Sequence, residues 1–84
     1  MLNDQYRHYS VYIWTRFADY DMHGNIVDWY PEHQMIIKHR TKQEAISTVK
    51  VHCSRWWCTG CMVYNELTYH TKFFRGRNYA NRQR

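Results

Sequence analysis

The sequence predicts an α+β fold: a two-layer sandwich in ββαββ order, with one helix on one face of an antiparallel sheet. Three observations point to it. Thr41 followed three residues later by Glu44 is a capping box, which satisfies backbone donors left open in the first turn of a helix. From there Ala45, Ile46, Val49, His52, Cys53, Trp56 and Trp57 fall within an arc of roughly 140° at helical spacing, so one face is built for a core. The segments on either side are dense in ring and β-branched residues, and the 84-residue chain holds eight tyrosines and four tryptophans but only two leucines, Leu2 and Leu67. Such side chains suit a pleated surface better than a helical bundle.

Taken in order, residues 8–17 read as a first strand free of Gly and Pro. Alternation puts Val11, Ile13 and Phe17 with Tyr9 on one side, and Tyr12 and Trp14 with Ser10 and Arg16 on the other. If the helix covers the first side, Tyr12 and Trp14 stand on an open one. Asp21 and Gly24 mark a turn, after which residues 26–30 are expected to pair back on the end of the first strand. Pro31 has no donor and interrupts the ladder as an edge bulge. Residues 34–39 continue as a strand, with Met35 and Ile37 expected inside. The helix is expected to run over residues 41–60, where Gly60 suits the left-handed residue that ends a helix. A strand at 61–64, a turn at 65–68 and a last strand at 69–74 complete the sheet. Residues 1–74 thus form a single domain, and residues 75–84 a basic tail expected to be mobile until it binds.

Composition narrows the partners. A chain this short buries only about 60 to 65% of the surface it exposes when unfolded, which leaves a small margin of stability. Its formal net charge is +5 with histidine neutral, and Lys72, Arg75, Arg77, Arg82 and Arg84 close the chain without an acid. A polyanion or an acidic protein surface is the partner this charge would attract. No run approaches the roughly 18 apolar residues of a membrane span, and the first residues lack a signal-peptide pattern. Three cysteines are an odd number, which argues against a secreted disulfide framework. A cytoplasmic protein with no membrane association is expected.

Cys53, Cys58 and Cys61 form C-x4-C-x2-C, and His70 follows on the next strand, so four zinc-type donors are present. A structural zinc usually brings two cysteine pairs, and the helical reading puts Cys58 almost opposite Cys53. Free thiols packed as small hydrophobes account for the pattern more simply, and no metal or cofactor is expected. Trp57-Cys58-Thr59-Gly60-Cys61 also looks like a thioredoxin-type redox motif. There the first cysteine opens a helix, whose N-terminus lowers its pKa; here the pair closes one, and the dipole acts the other way. Asp19, Asp21, Asp28, Glu32 and His33 gather at the first hairpin, where turn preference and solvation explain them. With no phosphate loop, Ser-His-Asp set or calcium loop, an enzyme is not expected.

Rings interleaved with cations remain: Tyr12, Trp14, Arg16, Tyr64, Lys72, Phe74, Arg75, Arg77, Arg82 and Arg84, on the open sheet face, its rim or the tail. Bases stack on exposed rings while Arg and Lys hold phosphates, and Trp, Tyr and Arg also dominate protein interfaces.

An aromatic first strand, a second strand, a helix opening Thr41-Lys42-Gln43-Glu44-Ala45-Ile46 and a strand opening Gly60-Cys61-Met62-Val63 together resemble small bacteriophage-encoded early proteins, among them inhibitors of host RNA polymerase. The resemblance runs from Tyr9 to Tyr64 and carries no functional residue across. It implies a compact binding protein of a phage or mobile element that acts on host machinery, anti-CRISPR action included. The expected function is therefore non-enzymatic: inhibition of a host nucleic-acid-handling protein with an acidic surface, by a monomer or homodimer. Direct DNA or RNA binding is the alternative, and a small structural zinc domain a second one.

Overall fold

The computed structural model describes residues 8–82. Its elements are β1 (Tyr9–Thr15), β2 (Ala18–Tyr20), β3 (Ile26–Trp29), β4 (His33–His39), α1 (Lys42–Cys53), β5 (Cys58–Asn65) and β6 (Thr71–Arg75), followed by a 3-10 turn at Tyr79–Asn81. The fold is α+β with antiparallel strands and one helix, but the ββαββ order is corrected. A four-stranded sheet runs β4-β1-β5-β6, and β2 and β3 form a separate two-stranded arm.

The arm exists because the first strand breaks. At Arg16 the backbone N–H turns to the Trp57 carbonyl, and Tyr30 N–H bonds the Phe17 carbonyl across the break. Pro31 falls in the gap between β3 and β4, a place that suits a residue without an N–H, and not in a bulge, since β1 and β4 pair without a register shift. Ala18–Tyr20 then pair with Ile26–Trp29 beyond the main sheet. The turn between them is as expected: the Asp21 carboxylate accepts from the N–H groups of His23 and Asn25, and Gly24 has φ +80°. Those N–H groups, Asn25's foremost, hold the Asp21 carboxyl below its ordinary pKa.

In the main sheet β1 is central. It pairs with β4 from Tyr9↔His39 to Thr15↔His33 and with β5 from Tyr9↔Asn65 to Thr15↔Cys58. Val11 and Ile13 face α1 and are fully buried, as are Ala45 and Cys61, with Val49 and Val63 nearly so. Tyr9, Ile37, Ile46, Cys53, Trp57 and Phe74 pack around this core. Met35 shares the parity of Ile37 but lies beyond the helix's cover and is exposed.

The capping box of α1 forms as the sequence reads: Thr41 Oγ1 accepts from Glu44 N–H at 3.1 Å, and Glu44 Oε1 accepts from Thr41 N–H at 3.1 Å. The Thr41 N–H bond is the main reason that the Glu44 carboxyl sits below its ordinary pKa. The helix ends at Cys53, seven residues short of Gly60. Ser54 Oγ donates back to the Val51 carbonyl, and the Cys53 carbonyl accepts from Arg77 N–H instead of from the next helical turn. Trp56 and Trp57 are therefore in a turn, where Trp57 stacks on Phe17 at 5.6 Å, and Gly60 lies within β5.

β6 runs through Arg75, so the chain does not leave the domain there. Gly76, Arg77 and Asn78 donate backbone N–H groups to the carbonyls of Thr59, Cys53 and Cys58. This closing segment rounds the end of the sheet and brings the 3-10 turn onto the face opposite α1.

Candidate functional site

The strand registers lay out the face opposite α1 as three rows. Lys38, Ser10, Tyr64 and Thr71 form one; Ile36, Tyr12, Met62 and Phe73 the next; Gln34, Trp14, Gly60 and Arg75 the third. Ring follows ring across it. Tyr12 stacks on Trp14 with centroids 6.2 Å apart, Trp14 meets Phe73 at 6.1 Å, and Phe73 meets Tyr79 at 5.9 Å. At the other end of the face Tyr64 meets Tyr69 at 6.4 Å. Phe73 and Tyr69 are 38% and 74% exposed, so ring edges and faces reach solvent.

Cations lie against these rings. The Arg82 guanidinium is 4.6 Å from the centroids of both Trp14 and Phe73, over the cleft between them. Arg75 lies 4.9 Å over Tyr79. An arginine plane on an aromatic face joins cation–π attraction to stacking. Lys38 pairs with Glu66 at 3.6 Å, and Glu66 also accepts from Ser10 Oγ, the bond that chiefly lowers its carboxyl pKa. Gly60 makes room for this arrangement, since a Cβ there would stand 2.5 Å from the Phe73 ring.

Of the residues singled out in the sequence, Tyr12, Trp14, Tyr64, Arg75 and Arg82 come together on this face. Others do not. Phe74 and Lys72 are corrected to the helix side, because β6 pairs Phe74 with Cys61 and Lys72 with Val63. Arg16 is past the end of β1 and acts as a clamp, donating from Nε to the Tyr30 carbonyl and from Nη1 to the Asn81 carbonyl, both at 2.9 Å. Arg77 is exposed at the sheet's end, and Arg84 lies outside the described residues. Phe73, Tyr69 and Tyr79 were missed. Alternation from Met62 across the hairpin would have found Phe73 had its register been known.

On the helix side, Cys53, Cys58 and Cys61 bring their sulfurs within 4.8 Å of one another. The Cys58 and Cys61 sulfurs are 3.8 Å apart. A regular strand would send residues three apart to opposite faces, but β5 places Cys58 against Thr15 and Gly60 against Trp14, leaving Thr59 as an extra residue. This bulge turns Cys58 to the side of Cys61. Thr59 is buried, with its hydroxyl 2.7 Å from Glu32 Oε2. The hydrogen bond with Cys61 draws the Cys58 thiol down to about 7, against burial. The same bond, then burial, push Cys61 up, and burial raises Cys53. His70 does not join them. It lines a groove with Tyr9, Lys42, Ile46 and Phe74, near Asn65 and about 13 Å along β5 from Cys61 at strand rise.

Among the described residues no helix is long and apolar enough to cross a membrane. No family model matches the chain, and neither the curated proteins nor the solved structures yield one similar to it.

Proposed function

We propose that the open sheet face binds single-stranded nucleic acid without catalysing a reaction. The observation that supports this most is the run of Tyr12, Trp14, Phe73 and Tyr79 with the Arg82 and Arg75 guanidiniums laid on the rings. Bases stack on such rings regardless of sequence, and the arginines supply charge for phosphates. In this reading Arg82 swings from the Trp14–Phe73 cleft to a phosphate when a base takes its place. Fluorescence anisotropy of a labelled short oligonucleotide, titrated with the protein, tests it. Trp14→Ala is expected to weaken binding about 5- to 150-fold, the worth of one stacked base, with circular dichroism unchanged. Full affinity in a folded Trp14→Ala variant would count against the face.

A different observation favours a protein partner, the host-protein reading of the phage-like sequence. The β2–β3 arm exposes Met22 by 92% and Val27 by 67%, with Tyr20 and Ile26 half exposed. An apolar arm of this kind suits a protein surface. Under this reading Val27→Asp abolishes capture of a nuclease-resistant partner and leaves oligonucleotide binding intact; capture unaffected by Val27→Asp would exclude the arm.

A further inference from the structure

We propose that Cys53, Cys58 and Cys61 form a three-thiolate site for a thiophilic d10 metal ion, with zinc as the test ion and the fourth position open to an exogenous ligand. The inference is independent of the reading of the open face. Its first support is distance. A zinc–sulfur bond of about 2.3 Å places tetrahedral sulfurs about 3.8 Å apart, and the Cys58 and Cys61 sulfurs stand at 3.8 Å. The third sulfur is within 4.8 Å of both, so small side-chain rotations close the triangle.

The second support is construction. The C-x4-C-x2-C spacing alone does not converge; it converges because α1 stops at Cys53 and because the bulge at Thr59 re-aims Cys58. The backbone around the three sulfurs is then fixed from outside. The Cys53, Cys58 and Thr59 carbonyls accept from Arg77, Asn78 and Gly76 N–H groups, and Gly76 approaches so closely that a Cβ would stand 2.2 Å from the Cys58 carbonyl oxygen. Cys58 and Cys61 are fully buried and Cys53 is half-buried, which leaves access from the Cys53 side. Among the described residues no fourth His, Cys, Asp or Glu atom joins the cluster. Three protein ligands with one open position is the coordination of zinc sites that bind or activate a further ligand. Soft thiolates also exclude hard ions such as magnesium and calcium.

The full chain, reduced and stripped of metal by a chelator, is titrated with cobalt(II), whose tetrahedral thiolate complexes show intense sulfur-to-metal charge-transfer absorption. The expected result is stoichiometric binding with that absorption, bleached by an equivalent of zinc, and a zinc-dependent rise in melting temperature as a ligand specific to the folded state requires. Cys53→Ser, at the half-buried position, is expected to weaken zinc binding by more than about tenfold, the scale on which even an outer-shell partner's loss registers. If a variant fails to fold, the unaltered chain decides: zinc should slow alkylation of all three cysteines together, read by mass spectrometry. A folded chain without charge-transfer absorption, or with alkylation rates indifferent to zinc, holds packed thiols only, and the proposal falls.

Discussion

Phe73 and Phe74 are neighbours in sequence and lie on opposite sides of the sheet: Phe73 reaches solvent beside Trp14, and Phe74 packs against the core. Two glycines are as position-specific. At Gly76 an added methyl would meet backbone, 2.2 Å from the Cys58 carbonyl oxygen, so neither side can yield without moving the closing segment off β5. Gly76→Ala is expected to destabilise by about 1–3 kcal/mol, as overpacking does, measured by chemical denaturation. At Gly60 the methyl would meet the tip of the Phe73 ring instead, and a side chain can swing away. Gly60→Ala is expected to cost less than about 1 kcal/mol yet weaken oligonucleotide binding, because the displaced ring no longer lines the cleft with Trp14. Equal stability losses in the two variants would contradict this contrast.

Among the elements, the β5–β6 connection carries the clearest strain. Tyr69 holds φ 62°, a conformation that costs a residue with a side chain about 1–2 kcal/mol relative to the right-handed region. The loop is fastened around it: Asn65 Oδ1 accepts from Leu67 and Thr68 N–H, and Tyr69 N–H bonds the Asn65 carbonyl. The strained residue presents its ring to solvent beside Tyr64. Tyr69→Gly should therefore raise stability by about 1 kcal/mol while reducing oligonucleotide affinity; thermal melts and binding titrations read both, and a destabilised variant would show that the ring supports the fold instead. The start of α1 was legible because Thr41 and Glu44 carry its cap locally, and the two faces of β1 were legible from the alternation of Val11 and Ile13 with Tyr12 and Trp14. The end of α1 was not. It depends on Arg77 N–H reaching the Cys53 carbonyl from far along the chain. The bulge at Thr59 has no local signature either, and without it Cys58 reads as facing away from Cys61.

At the scale of the molecule, the main sheet with α1 and the projecting arm give extents of 51 × 25 × 18 Å. The helix covers one side of the sheet, and the closing segment lies over part of the other. The Arg16 clamp joins that segment to the arm, through the Asn81 and Tyr30 carbonyls. The sequence showed the ingredients of the open face, the rings on β1 and the late arginines, but not their meeting, since strand pairing sets which of two adjacent residues faces out. Binding by this face requires that charge and rings act together on one side of the sheet. Lys72 and Arg75 separate that requirement from simple attraction, as each contributes one positive charge from β6 and they lie on opposite faces. The decisive measurement is oligonucleotide affinity against salt for Lys72→Ala and Arg75→Ala. Arg75→Ala is expected to bind more weakly and with a salt slope shallower by about 0.7 for each single-strand phosphate it no longer neutralises, while Lys72→Ala stays close to the unaltered chain. Equal losses in both variants would show attraction by net charge alone and contradict a binding face.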